Sequence, residues 1–360
     1  MQVLVLNAGS STLKGSLIVD GDPPADPVTV DWPAAAQGAT EVVQQVLEAI
    51  GDGHPDAVGY RVVHGGDSYR GAAVIDDTLL ATVDALDALA PLHNRRAAAV
   101  MRAGRAIVPK VPHVAAFDTA FHATLPEEAW RYPLPAAWTS PRGIRRYGFH
   151  GLSVAWSVGR AADLLGRPVD TLRLVVAHLG SGCSVTAIDA GRSVDTSMGY
   201  TPLEGLMMGT RAGSIDPGIV VGLAEDGVAL RELADGLAHR SGLVSVAGSS
   251  SARDLEVRSE AGDPDASLAL GMFERRAAAA IAAVATSLPL VDAVVFTGGI
   301  GEHSTGIRAR IVRRLAVIGL GRPVGSAASD AVLDPGPPAV LRVEAREDMV
   351  IAREVAALTM

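Results

Sequence analysis

VLVLNAGSSTLKGSLIVDG at 3–21 and LRLVVAHLGSGCSVTAIDAG at 172–191 are two versions of one pattern. Each runs through an apolar stretch, meets one polar residue (Asn7 or His178), turns at x-Gly-Ser (Gly9 and Ser10, or Gly180 and Ser181), and returns as a second apolar stretch ending near Asp-Gly or Asp-x-Gly. An apolar run, a Gly/Ser turn and another apolar run make a β-hairpin whose turn is rich in backbone donors. Few positions are identical, so the likeness is one of architecture: two homologous α/β halves, each with one Gly-rich hairpin. The seam falls near residues 150–153. That gives a first domain of residues 1–149 plus a C-terminal helix at about 350–360, and a second domain of residues 150–349.

Working outward, residues 40–50 carry an apolar stripe of Val42, Val43, Val46, Leu47 and Ile50, which is the helical period, with Thr40 as the expected N-cap. AVGYRVVHGG (57–66) and VPHVAAFDTAF (111–121) read as strands. LVDAVVFTGGIGEHS (290–304) reads as a buried strand entering a Gly-rich turn, with a helix over 304–315. REDMVIAREVAALT (346–359) reads as a helix that returns to cover the first domain.

The chain has 360 residues, beyond the single-core limit of about 250–300, which again implies two domains. Hydrophobic residues at 48% and charged residues at 20% fit a packed globular protein; with aromatics at only 4%, the core must be Ala, Val, Leu and Ile. A net charge of −9 argues against nucleic acid or an anionic membrane as partner, both of which need a basic surface. It leaves room for an anionic small substrate in a locally positive site. The single cysteine, Cys183, excludes an intrachain disulfide and fits a reducing compartment. MQVLVLNAGSS has neither a basic n-region nor a long apolar h-region, so no signal peptide is expected.

Three Gly-rich turns follow apolar runs: NAGSST (7–12), HLGSGCS (178–184) and TGGIGEHS (297–304). One such turn is an ordinary chain reversal. Three in one chain point to a nucleotide or polyphosphate, because they offer backbone N–H groups to anions. Neither GxxxxGK[ST] nor GxGxxG is present, which sets aside a Walker loop and weakens a Rossmann dehydrogenase. Six of nine histidines (His64, His93, His122, His150, His178, His303) lie in turn-flanked segments beside Gly, Asp, Asn or Arg. None has HExxH spacing and CxxC is absent, so no structural zinc site is expected. Asp118, at a strand end, suits Mg²⁺ as a hard oxygen ligand and equally suits a helix cap; spacing alone leaves both open. A serine hydrolase would need GxSxG, and GLSVA (151–155) lacks the second glycine.

The segments NAGSSTLK (7–14), RVVHGG (61–66), APLHN (90–94), FDTAFH (117–122), RRYGFHG (145–151), HLGSG (178–182), TSMGYTPLEGLMMGTRAGSIDP (196–217), FTGGIGEHS (296–304) and REDMVIARE (346–354) together resemble the acetate kinase family, in family order and over the whole chain. The chain is shorter than typical members between the first hairpin and RVVHGG. The resemblance implies an actin-like (ASKHA, ribonuclease H-like) α/β fold with two duplicated domains around a cleft, a homodimer and a cytoplasmic enzyme, the second domain carrying most of the nucleotide site. It implies reversible phosphoryl transfer from ATP to acetate, giving acetyl phosphate and ADP, with Mg²⁺ (or Mn²⁺).

By the same resemblance Arg61 and Arg211 grip the carboxylate and the phosphoryl group, and His150 donates to the transferring group. Asn7, Asp118 and Glu347 hold the metal directly or through water. Ser10, Thr12, Lys14, His93, His178, Gly180, Ser181, Gly182, Ser251, Arg253, Gly298, Gly299, Gly301 and His303 line the phosphate and nucleotide path. Val63, Leu92, Phe149 and Pro202 enclose the methyl group, although each alone would read as core. The chain departs from the family where Ser181 replaces Asn, Ser251 replaces Asp and His303 replaces Asn. The last two belong to the adenosine pocket. Two alternatives follow: a relative that uses propionate or a non-nucleotide donor such as pyrophosphate, and a weakly active sensor of acyl phosphate or nucleotide. A sensor has no use for His150.

Overall fold

A computed structural model describes residues 1–9, 11–22, 24, 27–32, 38–51, 53–90 and 93–360. The chain forms two compact units: residues 1–123, 149–156 and 346–360, and residues 124–148 and 157–345.

The first unit contains a sheet of β1 (Gln2–Ala8), β2 (Thr12–Val19), β3 (Val28–Asp31), β4 (Ala57–Val62), β5 (Ala73–Val74) and β6 (His113–Phe117), in the order β3-β2-β1-β4-β6-β5. β1 is antiparallel to β2 and parallel to β4, and β4 is parallel to β6. The second unit contains β7 (Arg173–Leu179), β8 (Cys183–Asp189), β9 (Arg192–Thr196), β10 (Ala293–Thr297), β11 (Ala331–Asp334) and β12 (Ala339–Arg342), in the order β11-β12-β10-β7-β8-β9. Read from β9, that order is the first sheet again with six added to every strand number. The strand directions also repeat: β7 is antiparallel to β8 and parallel to β10, and β10 is parallel to β12. The duplication legible in the two hairpins therefore extends through both sheets. The fold is actin-like, two mixed-sheet α/β domains of one architecture.

Alternation along the central strands explains why the first sheet is covered on both faces. Leu4, Leu6, Val58, Tyr60, Val62, Ala115 and Phe117 join one core with Val42, Val43 and Val46 of the helix Ala39–Ile50 and with Leu79, Leu80 and Val83 of the helix Asp77–Ala85. Val3, Val5, Ala57, Val114 and Ala116 join the other with Met349, Val350, Ile351, Ala352 and Val355. These last residues belong to the helix Glu347–Thr359, which covers the first sheet as expected of the C-terminal segment. Parallel strands buried on both faces carry few polar residues except at their ends. Gly59 permits the close approach: a Cβ there would lie 2.5 Å from Cγ2 of Ile351 and 2.8 Å from Cγ2 of Val355.

Two local expectations are corrected. The N-cap of the helix Ala39–Ile50 is Gly38, at φ 73, not Thr40; a left-handed cap there needs no side chain. The Gly-rich segment after β10 is not an open turn but a short helix, Gly298–His303, followed by a second, Thr305–Arg314, whose N-cap Ser304 accepts from the amide of Ile307 at 3.1 Å. Among the described residues no helix is long and apolar enough to cross a membrane.

Candidate active site

In the first unit three adjacent parallel strands bring polar residues to one edge. Asn7 is the penultimate residue of β1, Arg61 is the penultimate residue of β4, and Asp118 follows the last residue of β6. Ligands of open α/β sheets bind outside such carboxyl ends. The amide of Asp118 donates to the Val62 carbonyl at 3.0 Å, which locks its backbone to β4. Glu347, the first residue of the C-terminal helix, completes the group.

Arg61 is its centre. Its Nε donates to Oδ1 of Asp118 at 3.1 Å, and its Nη2 donates to Oδ2 at 2.6 Å. Nη1 lies 3.1 Å from Oε2 of Glu347 and 3.4 Å from Oδ1 of Asn7. Asn7 Nδ2 donates to Oε2 of Glu347 at 2.9 Å. One guanidinium thus faces two carboxylates, and the cluster keeps a surplus negative charge. Burial would depress the Arg61 pKa, but Asp118 and Glu347 outweigh it and hold it above its ordinary value. Asp118 is raised to about 6, first by burial, with Arg61 pulling it back and Glu347 adding repulsion.

His150 enters this group through its backbone. Its amide hydrogen-bonds the Asp118 carboxylate, and the Gly151 amide donates to the Asp118 carbonyl at 3.0 Å. Phe149 is 1% exposed and Val63 is 6% exposed. The ring of His64 meets Phe149 edge-on at 5.4 Å between centroids. His93 is the N-cap residue of the helix Asn94–Ile107. Thr12 opens β2, where its carbonyl accepts from the Gly9 amide at 2.8 Å; Lys14 stands directly across from Asn7, exposed. The expected ligands Ser10 and Leu92 lie outside the described residues.

In the second unit the hairpin turn repeats. His178 occupies the position in β7 that Asn7 has in β1, and the Gly180 amide donates to the Gly182 carbonyl at 3.0 Å. A Cβ on Gly298 would lie 3.1 Å from Nε2 of His178, and one on Gly180 would lie 3.9 Å from the Gly299 nitrogen, so the two Gly-rich segments touch. The Gly209 amide reaches the Ser181 carbonyl at 3.4 Å, which brings the loop of Arg211 to the same turn. Gly301 lies inside the short helix Gly298–His303.

Arg211 Nη1 donates to the Pro202 carbonyl at 3.1 Å, and Met208 Sδ lies 3.7 Å away. Among the described residues no carboxylate pairs with it. Burial pushes its pKa below the ordinary arginine value. The loop carrying Pro202 is fixed by Arg146, whose Nη1 donates to the carbonyls of Thr196, Ser197 and Met198 at 3.1, 3.1 and 3.0 Å, and whose Nη2 donates to Glu204 at 2.9 Å. Tyr132 also donates to Glu204. Ser251 caps the helix Ala252–Glu260, accepting from the Asp254 amide at 3.3 Å; Arg253 on that helix is exposed. His303 is 75% exposed.

Sequence reasoning passed over Asn94. Its Oδ1 accepts from the His64 amide at 3.1 Å and its Nδ2 donates to the His64 carbonyl at 3.0 Å, tying the end of β4 to the helix behind His93. Thr119 likewise accepts from the Gly65 amide at 3.1 Å. Both lie inside quoted motifs, APLHN and FDTAFH, but their partners are main-chain groups that leave no mark in the sequence.

The acetokinase family model matches residues 25–353. The acetate kinase of Deinococcus radiodurans is 42% identical, the match covering 99% of this chain and 98% of that one. The acetate kinase of a Synechococcus strain is also 42% identical, over 98% of each. Among solved structures, Porphyromonas gingivalis acetate kinase superposes with a TM-score of 0.87 at 31% identity over 100% of both chains. A propionate kinase from Francisella tularensis superposes with a TM-score of 0.89 at 32% identity over 99% of both. With the duplicated sheets, the strand-edge cluster and these matches in hand, the chain belongs to the acetokinase family.

Proposed function

We propose that the chain transfers the γ-phosphoryl group of ATP reversibly to acetate, giving acetyl phosphate and ADP in one direct in-line step. The observation that carries this reading is the half-buried cluster of Asn7, Arg61, Asp118 and Glu347, in which two carboxylates face one guanidinium. Hard oxygens with a surplus negative charge fit a divalent cation, with phosphate and water completing its shell. Asp118, Glu347 and Asn7 would hold Mg²⁺, which when bound neutralises phosphate charge.

The remaining work falls to side chains. An acetate oxygen attacks the γ-phosphorus while the bond to the bridging oxygen of ADP breaks, and no proton need move. Arg211, a half-buried cation with no acidic partner among the described residues, suits an anion, and Arg61 serves the same end. His150 donates to the equatorial oxygens, which carry the transition-state charge. His93 and His178 support the phosphate chain. The Gly180, Ser181 and Gly182 turn lines it, with Gly298, Gly299, Gly301, His303, Ser251 and Arg253 toward the nucleoside; by the family resemblance Thr12 and Lys14 are assigned to the phosphates as well. By the family resemblance Val63 and Phe149 are assigned to the methyl group of the substrate.

The homodimer belongs to this reading. The helix Pro217–Glu225 buries none of its side chains and exposes Ile219 and Leu223 on one side and Val221 on the other, apolar surface suited to a second copy. A cytoplasmic setting fits the single buried Cys183. The test is a hydroxamate assay of purified protein with acetate, propionate and butyrate, using ATP, GTP and pyrophosphate in turn. Acetyl hydroxamate formed with Mg-ATP is the expected result. No acyl phosphate from any pair would overturn the reading, and faster turnover with pyrophosphate would replace the donor.

A further inference from the structure

His122 is a buried imidazole to which the proposed reaction gives no part. It is 1% exposed, and its Nε2 lies 3.0 Å from the carbonyl oxygen of Phe149. A carbonyl only accepts, so Nε2 carries the proton and donates. Burial keeps the ring neutral at neutral pH, which commits its one N–H to that carbonyl.

The next residue is His150, and its φ is 59. Side chains bearing a Cβ rarely adopt the left-handed region, and such a residue persists only when its surroundings fix it. Three hydrogen bonds do so here. The Phe149 carbonyl accepts from His122, the His150 amide donates to the Asp118 carboxylate, and the Gly151 amide donates to the Asp118 carbonyl at 3.0 Å. The segments have no slack: a Cβ on Gly151 would lie 2.1 Å from the Asp118 carbonyl oxygen and 2.8 Å from Cβ of Phe121. Two of the three bonds come from Asp118, a proposed metal ligand. The third comes from His122.

We propose that His122 is a positioning residue: by anchoring the Phe149 carbonyl it holds the left-handed backbone of His150 and so fixes where the His150 imidazole stands. The inference rests on the role proposed for His150 and deepens it. Nothing is transferred through His122, and it touches no substrate.

The test compares His122→Leu with His122→Gln in the full-length protein. Glutamine places an N–H near the Nε2 position, and leucine fills the space without a donor. His122→Leu is expected to lower kcat by about tenfold to a hundredfold, the scale of a displacement of about 1 Å at a reacting group. KM for acetate and Mg-ATP should stay within about twofold, and His122→Gln should recover most of the loss. A crystal structure of His122→Leu should show His150 out of the left-handed region. The proposal is overturned by a folded His122→Leu with wild-type kcat, by equal losses in the two variants, or by a crystal structure with His150 unmoved. If His122→Leu does not fold, His122→Asn replaces it, since the shorter amide stops short of the carbonyl. His150→Ala runs alongside: full activity there sinks the role given to His150, while the crystal structures still decide whether His122 holds its backbone.

Discussion

The guanidinium of Arg61 lies 2.6 Å from Oδ2 of Asp118, a carboxylate that is 1% exposed. A residue proposed to bind anions is thus also the counter-ion of a buried acid. Breaking a buried pair by removing one partner leaves an unpaired charge and costs about 3–5 kcal/mol. Arg61→Ala should therefore lose both turnover, by about 10²–10³, and stability. Arg61→Lys keeps the charge but not the fork, so it should fold and still turn over poorly. Urea unfolding and the hydroxamate assay read the two effects separately. Wild-type unfolding of Arg61→Ala would show that Asp118 does not depend on it.

His150 separates backbone from side chain. Asparagine tolerates the left-handed conformation that His150 holds at φ 59. His150→Asn should therefore fold normally while kcat falls much more than KM for acetate rises, the pattern of a group acting in the transition state. A change confined to KM would make His150 a ground-state ligand.

Gly59 is predicted to be required for docking of the C-terminal helix. Gly59→Ala puts a methyl group 2.5 Å from Cγ2 of Ile351, and the β-branched side chain cannot turn away freely. Overpacking of this kind costs about 1–3 kcal/mol. Adding Ile351→Ala should leave the double variant more stable than the sum of the two single losses. Strict additivity in urea melts would refute the contact.

Glu354 should make the protein less stable as pH rises. Burial lifts its pKa from 4.5 to about 7, and Oε2 has no hydrogen-bond partner among the described residues. Below pH 4.5 the acid is neutral folded and unfolded, so it carries no penalty. Between 4.5 and about 7 the unfolded chain ionises first, and above 7 the full penalty applies. Its partial exposure reduces the effect, so Glu354→Gln should stabilise by about 1–3 kcal/mol at pH 8 and leave stability unchanged at pH 4. An equal gain at both pH values would mean that the carboxylate is not the cause.

Period and punctuation made much of this fold legible. The two hairpins announced the duplication, and REDMVIAREVAALT at 346–359 read as the covering helix. The Asp118–Arg61 pair was not legible, because 57 residues separate partners that meet only when β4 and β6 pair. Gly38 as a cap was missed for a different reason: a left-handed glycine and a Thr40 hydroxyl both end a helix, and only backbone geometry tells them apart. His122 lay in a quoted motif, yet its partner is a main-chain carbonyl, and a carbonyl has no signature in sequence.

The last prediction concerns the nucleotide. By the family resemblance an Asp is expected where Ser251 stands, and a carboxylate can accept from both ribose hydroxyls, whereas a serine hydroxyl is one neutral partner. The Ser251 hydroxyl is also engaged as a helix cap, accepting from the Asp254 amide at 3.3 Å. His303, where the family has Asn, is 75% exposed and lacks an amide's paired donor and acceptor. ATP should therefore be used with a raised KM and weak discrimination against other purine triphosphates. Ser251→Asp restores the carboxylate at no cost to the cap, since aspartate caps helices as well as serine and favours the N-terminal end of the dipole. A charge-assisted hydrogen bond is worth about 1.5 kcal/mol or more, so KM for ATP should fall about tenfold with kcat little changed. Steady-state kinetics with ATP and GTP measures both effects. An unchanged KM in Ser251→Asp, or strong rejection of GTP by the wild type, would place the nucleoside away from residue 251.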